Sequence, residues 1–358
     1  MNKFIITIIL SLYTCVLCAQ TKKVLLEEFT GVDCGQCPMG SYTLDSLLGV
    51  YPGLIGVSLH TYSDADAMFF PEIDTIGIAY APGAPLGATD RIFWPGGWGY
   101  VAEISSNWNA RIQSRLAVAP LLTVSVYATW DSVSRNISAQ ITAGILANMP
   151  AGDYRFDLYV LEDSVTGTGP GYDQINFYNS TPGNPFFGMG DPIVGYIHRH
   201  VVRAILPQAW GQGGIIPSSP VTGQNFSTVI NYTLPANYNE NMVKLVAFVS
   251  KYTGNHQGDE VLNAEEINLP ITSGIYDEIS ENNISVYPNP SSGLFIIKSK
   301  VGKAELAIYN MLGEKISTQN INDKKTYVDI TSLDNGVYII AFCYGANTTR
   351  LKIIKNTY

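Results

Sequence analysis

Two cysteines stand between a β-type run and a helical pattern near the start of the chain, and this order constrains the fold most strongly. The run is KKVLLEEF, residues 22–29, and the cysteines are Cys34 and Cys37 in TGVDCGQCPMG. Apolar residues then recur on one helix face, at Leu44, Leu47, Leu48 and Tyr51. The two cysteines are therefore predicted to lie in the loop between a strand and a helix.

The next segments continue the alternation of strand and helix. LIGVSLH at 54–60 predicts a strand, EIDTIGIAYA at 72–81 a helix, and APLGATDRIF at 84–93 a strand entered through Pro85. An amphipathic helix over 101–117 then closes the region. We therefore predict a β-α-β-α-β domain over residues 20–118.

Residues 1–19 have the composition of a cleaved secretory signal. Lys3 precedes an apolar run that ends near the small residue Ala19. Removal of this segment would leave three of the five cysteines, Cys34, Cys37 and Cys343, in an oxidising compartment. We predict a Cys34–Cys37 disulfide there, because a close pair is ordinarily bonded unless something keeps it reduced.

Three roles are open for the CxxC pair: a redox centre, half of a metal site, or a structural disulfide. Zinc requires two further ligands, but the sequence has no second cysteine pair and its four histidines lack finger-like spacing. His198 and His200 lie two apart in a predicted strand and could share a metal, but no third ligand is evident. We predict no metal and no cofactor, and assign His60 no catalytic role.

The predicted position of the pair favours redox chemistry. Cys34 is placed at the helix N-terminus, where free N–H groups and the helix dipole stabilise a thiolate and lower the thiol pKa. Cys37, one turn further along, would be the more buried, resolving thiol. Asp33 opposes a nearby thiolate and weakens this acidification.

Net charge limits the class of partner. It is −9, with a pI near 4.9 and no basic cluster, so we expect no nucleic-acid partner. The chain has 358 residues, of which 46% are hydrophobic and 14% charged, and this predicts large cores in two or three domains.

Strand-like runs dominate the rest of the chain. Six or seven of them over residues 119–270 predict an antiparallel β-sandwich of immunoglobulin-like character. The insert at 167–192, rich in Gly, Asn and aromatics, predicts a surface loop that either binds a partner or packs on itself. A polar linker over 271–283 leads to a small all-β sandwich at 284–358. The predicted fold class is multidomain, α/β plus all-β.

The first region resembles a thioredoxin-like domain in its CxxC motif and its order of elements. The resemblance implies a cis-proline that faces the motif, and Pro85 in GAPLGATDR is at the matching place. It also implies a buried carboxylate six residues before the first cysteine, where Glu28 stands. Burial would raise the pKa of Glu28 and suit it to accept the proton of Cys37. The cis bond would leave backbone groups for a bound polypeptide.

Longer phrases resemble the outer-membrane-protein-28-related family of secreted and surface proteins. They are EEFTGVDCGQCP, APLGATDR and YIHRHVVRAIL. That family combines a thioredoxin-like domain with a β-rich one, and the resemblance implies the same combination here without assigning one reaction.

The C-terminal module resembles the type A sorting domain of the type IX secretion system. The phrases that carry the resemblance are VYPNPSSGLFII, AIYNMLGEKI and LDNGVYIIAF, which span most of residues 284–355. The resemblance implies recognition by the type IX secretion machinery, passage through the periplasm and outer membrane, and release or attachment to surface lipopolysaccharide. We therefore expect a secreted or cell-surface protein.

Two functions remain open from the sequence. In a thiol-disulfide oxidoreductase, Cys34 would attack a disulfide of a protein substrate, Cys37 would resolve the mixed disulfide, Glu28 would relay a proton and Pro85 would orient the substrate. In a non-catalytic surface binding or adhesion protein, the same cysteines would form a structural disulfide and the sandwich loops would bind the partner.

Overall fold

The computed structural model describes most of the chain, as residues 21–95, 99–270, 284–289, 291–299, 303–310, 313–344 and 347–356. Residues 20–273 form one compact unit, and the C-terminal residues belong to a second. The signal peptide predicted at 1–19 and the linker predicted at 271–283 lie outside the described residues. The described residues have a mixed α/β fold with many strands and three α-helices.

The larger unit begins with the predicted alternation of strands and helices and continues with strands. In chain order the elements are β1 (Val24–Thr30), α1 (Cys37–Val50), β2 (Leu54–His60), α2 (Pro71–Tyr80), β3 (Leu86–Thr89), α3 (Ser105–Leu116), β4 (Leu122–Asp131), β5 (Asn136–Ile145), β6 (Asp153–Glu162), β7 (Val201–Leu206), β8 (Asn225–Thr233), β9 (Val243–Tyr252) and β10 (Glu260–Asn268).

Helices cover both faces of the first strands. β1 runs parallel to β2 and antiparallel to β3. All residues of β1 are buried, because Val24 and Leu26 pack against α1 and α3 while Leu25 and Phe29 pack against α2. Burial on both faces explains the continuous apolar run in the sequence.

One sheet contains strands from both sides of residue 118, where the sequence predicted a domain boundary. The strand order is β10-β9-β6-β7-β2-β1-β3. Its two halves meet where β2 and β7 run parallel and pair at Ser58 and Val201. Strands predicted to belong to two separate domains therefore share one seven-stranded sheet.

A second layer, β4-β5-β8, packs on the β6–β9 half of this sheet. Burial alternates strictly along β5. Ile137, Ile141 and Ile145 are among its buried residues, and the residues between the buried positions are half-buried. Those side chains share a core with Phe156 and Leu158 of β6. The period-two pattern of the sequence thus reports a strand with one face on the core.

The C-terminal unit consists of two small antiparallel sheets around one core. Its strands are β11 (Ile284–Tyr287), β12 (Leu294–Ser299), β13 (Ala304–Tyr309), β14 (Lys315–Ile321), β15 (Lys325–Asp329), β16 (Gly336–Tyr344) and β17 (Asn347–Lys355), in the orders β11-β12-β15 and β14-β13-β16-β17. Phe295, Leu306 and Phe342 lie in the core between them. In the part of the chain that is described, no helix is both long and apolar enough to cross a membrane.

The turn phrase NPSSG has a local structural role in this unit. Gly293 has φ of +123°, and a Cβ there would lie 2.8 Å from Thr331 Cα. The Ser291 hydroxyl accepts a hydrogen bond from the Gly293 N–H and donates one to the Leu294 carbonyl. Glycine is therefore required by both backbone conformation and space.

Candidate functional site

The two cysteines of the CxxC motif are bonded in the loop between β1 and α1. Their Cα atoms are 5.3 Å apart. Cys34 is partly exposed, whereas Cys37 is only 1% exposed, so Cys34 is the sulfur that solvent can approach. α1 begins at Cys37, with Pro38 in its first turn, where proline is favoured. The sequence predicted Cys34 at the N-terminus of this helix. In the structure Cys34 lies three residues before the helix begins.

Glu28 is fully buried on β1, between β2 and the first turns of α1. The Ser58 hydroxyl donates to Glu28 Oε2 at 3.0 Å, and the Ser41 hydroxyl, one turn after Cys37, donates to Oε1 at 3.2 Å. Burial raises the pKa of Glu28 to about 8, although the two serine hydrogen bonds act to lower it. The carboxyl is therefore protonated at neutral pH.

The Ala84–Pro85 peptide bond is cis and immediately precedes β3. Gly40 of α1 separates Pro85 from Glu28: a Cβ on Gly40 would lie 2.8 Å from Pro85 Cβ and 2.6 Å from Glu28 Oε1. The helix, the proline loop and the buried carboxyl thus meet where only glycine leaves room. A cavity of about 300 Å³ opens beside this junction, between the proline loop and the start of α1.

A buried carboxylate that the sequence did not single out supports the cysteine loop. Asp66 Oδ2 accepts a hydrogen bond from the Val32 N–H at 3.0 Å and lies 2.7 Å from His60 Nδ1. Burial alone would raise the pKa of Asp66, but the hydrogen bond and charge of His60 and two backbone N–H groups outweigh it and lower that pKa. His60 therefore helps to position the loop, two residues before Cys34, through Asp66.

His198 and His200 do not form a shared site. They precede β7, and His200 has a φ of +55°, which interrupts the strand predicted to contain both. His198 Nε2 lies 2.8 Å from the Tyr172 carbonyl, and His200 Nε2 lies 2.9 Å from Asp45 Oδ1. Burial lowers the pKa of His198 to about 4, and His60 adds to the shift. In the described ranges, no group of three or more His, Cys, Asp or Glu side chains is placed to hold a metal ion.

The ATDR phrase forms a buried ion cluster away from the cysteines. Arg91 donates to both carboxylate oxygens of Glu27, each at 2.9 Å, and to the Tyr159 hydroxyl at 2.7 Å. Asp90 contacts Lys22 at 2.7 Å and Arg115 at 2.8 Å. Because these contacts join β1, β6 and α3, the phrase stabilises the fold and does not contribute to the cysteine site.

The insert between β6 and β7 reaches the cysteine loop, which no local sequence signal predicted. Gln174 Nε2 lies within 3.0–3.2 Å of the carbonyl oxygens of Gly31, Val32 and Cys34. The Ile175 N–H donates to the Val32 carbonyl at 2.9 Å. The cysteine loop is thereby held by a segment more than a hundred residues away in sequence.

Two protein families match parts of this chain, and the first match shows what class of protein it is. Residues 285–356 match the secretion system C-terminal sorting domain, so the chain carries the export signal of the type IX secretion system and is a secreted or cell-surface protein of the outer membrane. Residues 81–269, just over half of the chain, match the family of the outer membrane protein Omp28. The chain belongs to the Omp28 family. That match includes Pro85 but begins after the cysteine loop.

The likeness to one solved structure supports the overall fold. HBP35 of Porphyromonas gingivalis matches with a TM-score of 0.54 at 18% identity, over 94% of this chain and 99% of that chain. A domain of the outer membrane lipoprotein Omp28 from Porphyromonas gingivalis matches at 13% identity over 42% of this chain and 92% of that chain, with a TM-score of 0.22. No curated protein matches the chain.

Proposed function

We propose that the protein is a type IX-exported, extracellular protein whose thioredoxin-like region performs thiol-disulfide exchange through Cys34 and Cys37. The observation that carries the proposal is the asymmetry of the pair: Cys34 is accessible, and Cys37 is buried at the start of α1. The strand order β2-β1-β3, with the cis-proline immediately before β3, is the arrangement expected of that fold.

The bonded pair acts as an oxidant in this proposal. A thiolate of a substrate dithiol attacks Cys34 Sγ, the Cys34–Cys37 bond breaks, and Cys37 leaves as a thiolate. Glu28, protonated because its pKa is about 8, gives Cys37 a proton. The second substrate thiol then displaces Cys34, so the substrate loses two electrons and two protons and the cysteine pair gains them. The reverse sequence reduces a substrate disulfide.

A structural disulfide in a surface binding protein is the second candidate. The three Gln174 contacts and the Val32 hydrogen bonds favour it, because they fix the loop whether or not the sulfurs react. In that case binding would use other surfaces of the molecule. Both candidates share one proposed export route. Residues 1–19 are removed before the protein crosses the outer membrane, and attachment to lipopolysaccharide follows export.

The reduction potential of the pair separates the two candidates. Mature protein is equilibrated in glutathione buffers, and alkylated thiols are counted by mass. A midpoint between roughly −270 and −120 mV places the pair among exchange catalysts, and Cys37→Ser should then trap a mixed disulfide at Cys34. A midpoint below about −300 mV identifies a structural disulfide and refutes the exchange proposal.

A further inference from the structure

Residues 174–178, which we call the strap, lie directly on the disulfide loop. Besides the contacts of Gln174, the Phe177 N–H donates to the Gly35 carbonyl at 2.9 Å. The Phe177 ring covers Gly35, since a Cβ on that glycine would lie 2.2 Å from Phe177 Cδ1. Asn176 is 1% exposed and donates to the carbonyls of Phe186 and Gly190, so the strap is fixed on its other side as well. The strap is therefore a built part of the site.

The strap also forms one wall of the cavity beside the disulfide loop. Tyr178 lines it from the strap, Ala84 and Pro85 from the proline loop, and Gln36 and Met39 from the cysteine loop and α1. The volume of about 300 Å³ would hold roughly ten water molecules, which is room for one large side chain. A chain segment in an extended conformation can place one side chain there and leave its flanking residues outside.

The chemistry of the lining selects what can enter. Among the described residues that line the cavity, none is acidic, basic or a histidine. A charged group placed in it would meet no opposite charge to offset the water it loses, whereas an apolar group would gain by burial. The same insert exposes large apolar side chains beyond the cavity: Phe177 (66%), Phe187 (51%), Met189 (51%), Val194 (75%) and Ile197 (57%). A contiguous patch of such side chains would be an interaction surface.

We propose that the strap determines specificity at the disulfide, with Tyr178 as the principal determinant. The occupant is an extended polypeptide segment of another protein, which places an uncharged, apolar side chain next to its cysteine between Tyr178 and Pro85. Small disulfide compounds that carry charge are disfavoured, because the lining offers no opposite charge. This inference rests on the exchange proposed above for its substrate, but its binding step does not require the sulfurs to react.

Binding and exchange are tested by separate measurements. Two fluorescein-labelled peptides carry serine in place of cysteine, one flanked by Leu and Phe and the other by Asp and Glu. Their affinities for the oxidised mature protein are measured by fluorescence anisotropy. We expect the apolar peptide to bind roughly tenfold more tightly than the acidic one, and Tyr178→Ser to remove most of that difference. Tyr127→Ser, the same change at an exposed tyrosine of β4, should leave both affinities unchanged.

The outcomes distinguish failure of this inference from failure of the exchange proposal. Equal binding of the two peptides, or an unchanged preference in Tyr178→Ser, overturns the role of the strap. If the peptide affinity weakens as the protein dimerises, a second copy of this chain occupies the cavity. That result also overturns the proposal that the cavity binds a segment of another protein. The rate of disulfide transfer from the wild-type protein to dithiothreitol tests exchange alone, because the reagent does not need the cavity. A negligible rate would refute the exchange proposal and leave the peptide preference intact, and Tyr127→Ser should not change that rate.

Discussion

Replacing Glu28 by glutamine should stabilise the oxidised protein by an amount that grows with pH. The pKa of Glu28 is about 8 in the folded chain, against an ordinary 4.5. Folding therefore favours the protonated form, and the contribution of Glu28 to stability is full below pH 4.5, decreases as the pH rises and has been lost by about pH 8. At 1.36 kcal/mol per pH unit, the stability lost is about 5 kcal/mol by pH 8 and about 3 kcal/mol by pH 7. Glutamine is neutral throughout and keeps a similar shape.

Urea unfolding of both proteins, followed by tryptophan fluorescence at pH 4.5, 7 and 8.5, measures the difference. Subtracting the wild-type free energy from that of Glu28→Gln cancels every other titrating group. Glu72→Gln, the same change at an exposed residue of α2, should show no such trend. A difference between Glu28→Gln and wild type that stays constant over this pH range would refute the burial argument and, with it, the protonated state that the proposed proton transfer requires.

Three further substitutions test the packing around the site. Gly40→Ala should lower the free energy of unfolding in urea by about 1–3 kcal/mol, because its Cβ would lie 2.6 Å from a buried carboxylate oxygen, whereas Gly49→Ala on the same helix has open space and should be neutral or slightly stabilising. The pKa of Asp66 is lowered from 3.8, so its contribution to stability is present above that pH and is lost as the pH falls below it. In Asp66→Asn, the free energy of unfolding should therefore depend less on pH in this acid range, as measured by circular dichroism. Arg91→Met should cost about 3–5 kcal/mol in calorimetry by leaving Glu27 buried and unpaired, and adding Glu27→Gln should recover part of the loss.

The first five elements could be predicted because their signals are local. The apolar run of β1 and the helical spacing of Leu44 and Leu47 in α1 are each readable within one element, and the structure has both where the sequence placed them. Pro85 and Glu28 were found through resemblance rather than periodicity. Asp66 had no signal of its own, because a second acidic residue, Asp64, stands beside it in YSDADAM and only the fold brings Asp66 to Val32.

Non-local pairing accounts for the larger differences. The parallel contact of β2 with β7 joins residues more than a hundred positions apart, at Ser58 and Val201, and nothing in either strand specifies its neighbour. The strand predicted to contain His198 and His200 begins later than expected for a local reason. The backbone of His200 is in the left-handed region, and pairing with β2 begins only at Val201.

The glycine between the cysteines shows how such a contact changes the interpretation of a motif. In the sequence, Gly35 is one residue of a CxxC dipeptide and carries no evident requirement. In the structure its missing Cβ is the space that the Phe177 ring fills, and its carbonyl accepts the Phe177 N–H. Any side chain at Gly35 would therefore displace the strap, and with it Tyr178 from the cavity wall. The disulfide loop and the strap are thus a single structural unit, so a change in either should alter binding at the other.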